Sequence, residues 1–365
     1  MKLWTSGSAI IIPVEGARQW LETTLEKIMK ATIDDVARLA GVSVSTVSRV
    51  LNDERYVREA MRERVHAAVK ELHYRPNLYA RNLAGDRSHI MAMIFDHAGG
   101  DYVAGLLGGA VTACSREGLH LVIEILDHPS MTDKLASFIG QINPDGIILT
   151  SPVCNDEAVI ALLQKRRIPM IRVAPIRRMD QILSVGIDDR TAGREVADYL
   201  IGLGHRRIGH IIGHPEHGGS HDRLLGFQES LKAHGVALPA DALAQGYFDF
   251  ASGARGARAL LDRGDPPTAI FASNDEMAAG VLSVAAERGL KVPDDLSVMG
   301  FDDGTIASWV TPSLSTIRQS TRDMAALSIA NLMAVREGRL KADAMHITVP
   351  HEMIIRQSTA PPRHP

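Results

Sequence analysis

Two hydrophobic rhythms divide the chain. Between residues 32 and 73 apolar positions recur at helical spacing in short runs. From residue 90 onward, short continuous apolar runs alternate with longer amphipathic stretches. In the first region Val36, Ala37 and Ala40 form a narrow stripe at i, i+1 and i+4. Thr32 caps that helix through its hydroxyl, and Asp34 and Asp35 favour its positive end. Gly41 ends it in a left-handed conformation. Ser43 caps a second helix, Val44–Leu51, in which Val47 and Leu51 lie i,i+4 apart and face inward. A third helix spans residues 58–73, with Val65, Ala68, Val69 and Leu72 on its buried face. Pro76 stops it and biases Arg75 toward an extended backbone. Residues 77–85 can form one more short helix, with Leu83 as its conspicuous apolar residue. Two short helices about a glycine turn, with a third behind them, are the pattern of a helix-turn-helix head.

The second region reads as strands at 90–95, 119–126, 146–150, 169–174 and 184–187, with helices at 103–117 and 134–142 between the first three. A second set follows: helix 191–203, strand 208–212, helices 223–234 and 251–261, strand 269–272, helix 275–288 and strand 297–301. Strands alternating with helices at this spacing imply doubly wound parallel sheets with right-handed crossovers. Two such lobes hold a ligand between them, outside the carboxyl ends of the strands.

The second helix of a helix-turn-helix unit enters the major groove and presents its first residues to base edges. Arg49 can grip a guanine through two hydrogen bonds, Ser45 can donate or accept, and Val44 can touch a thymine methyl. Taken singly, each is equally an ordinary exposed helix residue. The caps, the glycine and the apolar stripe in one register favour the DNA reading.

Three polar constellations fall where the cleft would be. Arg223 stands near a helix start. Asn274 and Asp275 follow a strand, as do Asp302 and Asp303, with Gln319 further on. Carboxylate, amide and guanidinium groups suit a polyhydroxylated ligand. The simpler readings are a helix cap for Asn274, a turn residue for Asp303 and a surface charge for Arg223. Trp309 reads as a stacking ring or as packing under Pro312. His205, His210, His214, His217 and His221 crowd one stretch. No cysteine or Glu-x-x-His context joins them, so a polar loop at the cleft mouth is preferred to a metal site. Residues 213–220 lack the lysine of a phosphate-binding loop. No nucleophile–base arrangement stands out, so neither an enzyme nor a cofactor is expected.

Charge sharpens the partner expectation. The 365-residue chain has net charge −3, of which residues 31–88 carry +2 and residues 89–365 carry −6. A head this mildly basic binds DNA weakly alone, which argues for a dimer presenting two heads. Cys114 and Cys154 form no C-x-x-C and read as small buried apolar residues in a reducing cytoplasm. No apolar run approaches the roughly 18–20 residues of a membrane span.

Taken together, Ile33-Asp34-Asp35-Val36-Ala37, Ala40-Gly41-Val42-Ser43, Thr46-Val47-Ser48-Arg49-Val50-Leu51-Asn52, Tyr74-Arg75-Pro76-Asn77 and Ala80-Arg81-Asn82-Leu83 resemble the lactose/galactose repressor (LacI/GalR) family of transcription regulators. The resemblance runs to about residue 357 and begins at Met29, which reads as the natural start. Residues 1–30 are then an extension, disordered or added by a misplaced start. It implies a helix-turn-helix domain at 31–76, a hinge at 77–88, a two-lobed periplasmic-binding-protein-like α/β core at 89–357 for effector binding and dimerisation, and a tail at 358–365. It places DNA contacts at Thr32, Val44, Ser45, Thr46, Ser48, Arg49, Asn52, Tyr74, Asn77, Ala80, Arg81 and Leu83. Leu83 matches a wedge that enters the minor groove; the simpler reading is a packing residue of the hinge. Effector contacts are implied at Asp96, Arg223, Phe248, Asn274, Asp302 and Gln319. Two departures matter. Arg58 replaces the usual serine before the third helix, weakening its cap. Ala174 stands where some sugar-binding members have an acid, so no particular sugar carries over. The expectation is a cytoplasmic homodimeric regulator, most simply a repressor of a palindromic operator, controlled by a mono- or oligosaccharide. The alternatives are a corepressor-type regulator answering a non-sugar metabolite, or a transporter's sugar-binding protein, which predicts an export signal and no head. The tail carries no leucine heptads, consistent with a dimer.

Overall fold

The computed structural model describes residues 31–51, 56–74, 87–96, 99–126, 130–177, 179, 182–341 and 345–363, in two compact units that divide after Asp86. Asn52, Asn77, Ala80, Arg81 and Leu83 lie outside the described residues, as do the extension at 1–30 and most of the hinge.

The head consists of α1 (Ile33–Ala40), α2 (Val44–Leu51) and α3 (Glu59–Glu71). Thr32 and Asp35 form a reciprocal capping box. The Asp35 amide donates to Thr32 Oγ1 at 3.3 Å, and the Asp35 carboxylate accepts the Thr32 amide at 2.9 Å. The Thr32 hydroxyl also donates to that carboxylate at 2.7 Å, and this bond, with the one from the Thr32 amide, holds the Asp35 carboxyl below its ordinary range. Gly41 takes the left-handed conformation at φ 62°, so the amides of Gly41 and Val42 can turn back onto the last carbonyls of α1. The Thr46 amide donates to Ser43 Oγ at 3.2 Å and caps α2. Arg64 of α3 reaches the Gly41 carbonyl at 3.0 Å and fixes the turn from behind. Val36, Ala37, Ala40, Val47, Val50, Val65 and Ala68 close the small core. Val50 rather than Leu51 takes the fully buried place, and Leu51 flanks it. As its sequence implies, Arg58 makes no capping bond to α3.

The core carries two parallel sheets. The first is ordered β11-β5-β4-β3-β1-β2, from β1 (Ile90–Phe95), β2 (His120–Ile125), β3 (Gly146–Leu149), β4 (Met170–Val173), β5 (Leu183–Gly186) and β11 (His346–Thr348). The second is β7-β6-β8-β9, from β6 (Ile208–Ile212), β7 (Leu243–Gln245), β8 (Ala269–Ala272) and β9 (Ser297–Met299). Successive strand residues point to opposite faces. Met91, Met93 and Phe95 therefore join one core with α4 (Asp101–Arg116), while Ala92 and Ile94 join another with α5 (Met131–Ile142) and α6 (Glu157–Lys165). In the second sheet Ala269 and Phe271 face α7 (Asp189–Gly202) and α8 (Gly218–Ala233); Ile270 and Ala272 face α9 (Phe250–Leu261) and α10 (Asp275–Glu287). The short α11 (Thr305–Trp309) follows β9, and β10 (Thr316–Gln319) pairs antiparallel with β12 (His351–Ile354). Helix α12 (Thr321–Arg336) returns to pack on α4 and the first sheet. The chain thus passes between the lobes after β5, after β10 and after β11. Both strand orders reverse beside the first strand of their lobe, and those two reversal points face one cleft.

Three sequence expectations are corrected here. Helix α8 begins at Gly218, not Arg223, so much of the expected polar loop is its first turn. A Cβ on Gly218 would lie 2.7 Å from the Ile176 Cα and the Pro175 carbonyl, and only glycine lets the helix start that close to the other lobe. Trp309 neither stacks in the cleft nor packs under Pro312: it is 77% exposed at the end of α11. From the sequence no helix is read at α6, α11 or α12 and no strand at β7, β10, β11 or β12.

Candidate functional site

A cleft of about 480 Å³ opens at the carboxyl ends of both sheets. That is within the range of small-molecule pockets. Asp96, Arg223, Phe248, Asn274, Asp302 and Gln319, the six effector candidates of the sequence, all line it. They come from both lobes: Asp96 follows β1, whereas the other five belong to the second lobe and its connections.

Arg223 is 6% exposed and held on three sides. Its Nε donates to Asp189 Oδ1 at 2.7 Å, Nη1 donates to the Ser273 carbonyl at 2.6 Å, and the guanidinium lies 3.6 Å from the Phe301 ring centroid. A buried charge needs such a partner. The surface-charge reading of Arg223 is therefore excluded. Glycines make the approach possible, since a Cβ on Gly193 would lie 2.2 Å from the Arg223 carbonyl.

Asn274 is both a helix cap and a wall of the cleft. Its Oδ1 accepts the Met277 amide at 2.9 Å, and Nδ2 donates to the Phe248 carbonyl at 2.9 Å. That second bond holds Phe248 in a left-handed backbone conformation, φ 63°. Bulky residues rarely adopt it, and such strain, of order 1–3 kcal/mol, concentrates at ligand clamps. The ring occupies space that any side chain at Gly213 would take, because a Cβ there would lie 2.3 Å from Phe248 Cζ. His217 stands edge-on to Phe248 with centroids 5.2 Å apart, and Tyr247 meets His214 at 5.6 Å.

The acids divide by role. Gln319 Nε2 donates to Asp302 Oδ1 at 2.6 Å. Burial pushes the Asp302 carboxyl up to about 7, with Arg223 and the Gln319 bond opposing the rise. Asp275 accepts Thr316 Oγ1 at 2.7 Å and the Gly304 amide at 2.8 Å, fixing the loop after β9 to β10; burial raises its carboxyl well above the ordinary range. Asp303 is structural: Arg318 Nε and Arg356 Nη2 donate to it at 2.7 and 2.5 Å.

Several lining residues were not picked out from the sequence. Asp101 crosses the mouth, accepting Thr305 Oγ1 at 3.0 Å and the Ile306 amide at 3.3 Å. On the other side Asn155 Nδ2 donates to the Glu216 carbonyl at 3.4 Å. The lobes are closed on each other at both ends. Tyr102, Tyr247 and Ser220 also line the cleft. Asp101 and Tyr102 were within reach of the rule that ligands sit just beyond strand ends. Ser220 carried no such signal once residues 213–220 were read as loop. His210 lies beneath the cleft, stacked 4.6 Å from Phe271, with its imidazole pushed down to about 3 by burial. No group of three or more potential metal ligands occurs among the described residues.

In the head, Val44, Ser45 and Arg49 are exposed along α2, with Val44 at 38%, and Thr46 and Ser48 are partly so. Thr32 is engaged in its capping box. The Tyr74 ring is 8% exposed and belongs to the head core, so its described role is packing. No helix among the described residues is long and apolar enough to cross a membrane.

Comparison with known proteins agrees with both units. Residues 32–77 match the model for bacterial regulatory proteins of the lacI family, and residues 197–359 match a periplasmic binding protein-like domain. The HTH-type transcriptional regulator DegA of Bacillus subtilis (strain 168) is 34% identical, over 91% of this chain and 99% of its own. The lac repressor dimer bound to operator and the anti-inducer ONPF superposes with a TM-score of 0.80 at 27% identity, over 91% of this chain and 99% of the other. The CelR–cellobiose complex gives 0.70 at 29% identity, over 90% of this chain and 100% of that one. With a DNA-binding head, a two-lobed sensor and likeness to transcriptional regulators along nine-tenths of its length, the chain belongs to the lacI family of bacterial regulatory proteins.

Proposed function

We propose that this regulator is a cytoplasmic operator-binding repressor whose DNA affinity is set by a polyhydroxylated small molecule, a mono- or oligosaccharide, held between the lobes. The observation that carries this reading is the convergence of Asp96, Arg223, Phe248, Asn274, Asp302 and Gln319 on one closed cleft. An aromatic ring beside carboxylate, amide and guanidinium groups matches a ligand with an apolar C–H face and paired hydroxyls. The cellobiose complex of the relative CelR supports the same ligand class.

On the DNA side, Val44, Ser45 and Arg49 present the polar face of α2 for the major groove, with Arg49 as the base-specifying contact. A pair of heads supplies the affinity that one mildly basic head lacks. A second copy of the chain has apolar surface to use on the first lobe. The edge strand β2 leaves Ile123 and Ile125 each 43% exposed, and Val111 of neighbouring α4 is 54% exposed. Cooperation between the sites follows from the clasp of Asp101 on Thr305 and Ile306. An occupant touching both lobes favours closure, and a change in lobe position is what the heads would read. Such coupling amounts to about 1–3 kcal/mol.

Selection of binding sites from random duplex DNA with the full chain tests this. Enriched inverted repeats, bound by two protomers, are expected. Enrichment of nothing, or binding as a monomer to single half-sites, contradicts it.

A further inference from the structure

We propose that the cleft accepts polyhydroxylated compounds that carry no negative charge, neutral or ammonium-bearing sugars, and that the Ser220 hydroxyl is one of the groups that binds them. The inference rests on the effector-pocket reading and adds the charge class of the occupant.

Carboxylates dominate the lining. Asp96, Asp101, Asp249 and Glu276 contribute to it, beside Asp275 and Asp302, whose carboxyls burial raises and which add less charge, against the single guanidinium of Arg223. That guanidinium is already neutralised by Asp189 at 2.7 Å. Helix N-termini would otherwise draw an anion, but the acids occupy those ends. Asp101 opens α4, and Asp275 and Glu276 open α10. The first turn of α8 has the Asp189 carboxylate beside it: a Cβ on Gly219 would lie 3.1 Å from both Asp189 oxygens. A carboxylate or phosphate entering here gives up its hydration to face like charges. A hydroxyl instead donates to them, and an ammonium group is attracted.

The second observation is independent of charge. Ser220 is 2% exposed, lines the cleft, and its Oγ has no hydrogen-bond partner. Burying a hydroxyl without a partner is unfavourable, so an orphan at a cavity wall marks a place where an occupant supplies the missing bond. Ser220 lies one turn before the buried Arg223 on α8, and its Oγ would be 2.6 Å from a Cβ on Gly213, the glycine that also admits Phe248. The orphan hydroxyl and the aromatic wall therefore border the same glycine. A sugar whose C–H face rests on Phe248 has its hydroxyls within that neighbourhood.

The test is titration calorimetry and thermal shift on the full chain with matched sets: glucose, galactose and cellobiose; glucosamine and galactosamine; glucuronate, galacturonate and glucose 6-phosphate. A neutral or amino compound is expected to bind at least about tenfold more tightly than its acidic counterpart, as like-charge repulsion in a partly desolvated site requires. Asp302→Asn should narrow that ratio. Ser220→Ala should weaken the best binder about fivefold, the loss of one net hydrogen bond, and leave the melting temperature of the unliganded chain unchanged or raised. Tighter binding of a uronate or the phosphate overturns the charge assignment alone. Undiminished affinity in Ser220→Ala overturns the Ser220 contact alone. No response to any compound, whatever its charge, overturns the sugar reading of the cleft and this inference with it.

Discussion

The carboxylate of Asp101 accepts the Thr305 hydroxyl at 3.0 Å, tying the first turn of α4 in one lobe to the first turn of α11 in the other. Removing that hydroxyl without changing its shape should favour the open form. Thr305→Val is expected to weaken the tightest-binding sugar by about three- to tenfold, the net contribution of one solvent-exposed hydrogen bond, with little change in the melting temperature of the free chain. Titration calorimetry reads the difference; wild-type affinity in the variant would remove the clasp from the mechanism.

Arg223 and Asp189 should act as a unit in stability. Both are buried, so removing one leaves the other charge without its partner. Arg223→Ala should cost about 3–5 kcal/mol in urea unfolding. Adding Asp189→Asn should recover part of that loss, giving a coupling above about 1 kcal/mol in the double-mutant cycle. Additive losses would mean the pair is incidental.

Asp302 gives the stability a pH dependence of definite sign. In the folded chain its carboxyl titrates at about 7, whereas in the unfolded chain it ionises near the ordinary value of about 3.9. Between those values the folded state binds the extra proton, so this group's contribution falls as pH rises from about 4 to about 7 and is lost above that window. Asp302→Asn should therefore be more stable than the wild type at pH 8, by about 1–2 kcal/mol after allowance for the partial exposure of the group, and should lose the advantage near pH 4. Parallel profiles of melting temperature against pH for the two proteins would contradict this origin.

Arg49 carries the DNA side of the proposal. Arg49→Ala should relax discrimination at one base pair of a selected site, costing about 1–3 kcal/mol there, while weak salt-sensitive binding to unrelated duplex persists. Anisotropy titrations on matched and single-substituted duplexes measure it. Full discrimination in the variant assigns base reading to other residues.

How much was legible depended on how local the signal was. Thr32, Gly41, Ser43 and the stripe of Val36, Ala37 and Ala40 encode the head within a span of about twelve residues, and each adopts the conformation its chemistry favours. Central parallel strands such as β1, β3 and β8 were legible because both faces are buried and their runs are apolar, whereas the short edge strands β7 and β11 are partly exposed and mixed in polarity. Strands β10 and β12 were not legible, because their partners are each other, some thirty-five residues apart, and both are mixed in polarity, with Thr316, Arg318 and Gln319 in one and His351 and Glu352 in the other. The start of α8 was hidden for a similar reason: Gly218 and Gly219 look like a loop, and only their approach to Ile176 and Asp189 explains why a helix begins there. Strand ends marked the cleft residues, and the family resemblance selected among them. Arg223 shows the remainder, since its burial against Asp189 and Phe301 depends on residues 34 and 78 positions away.

The linkage between cleft and DNA is tested most directly by reciprocal titration. Operator affinity is measured with and without saturating amounts of the tightest-binding sugar, and sugar affinity with and without a selected inverted repeat. A change in operator affinity of about 5- to 150-fold is expected, mirrored by an equal factor for the sugar. Identical operator affinity in both conditions, with the sugar demonstrably bound in the cleft, would contradict it.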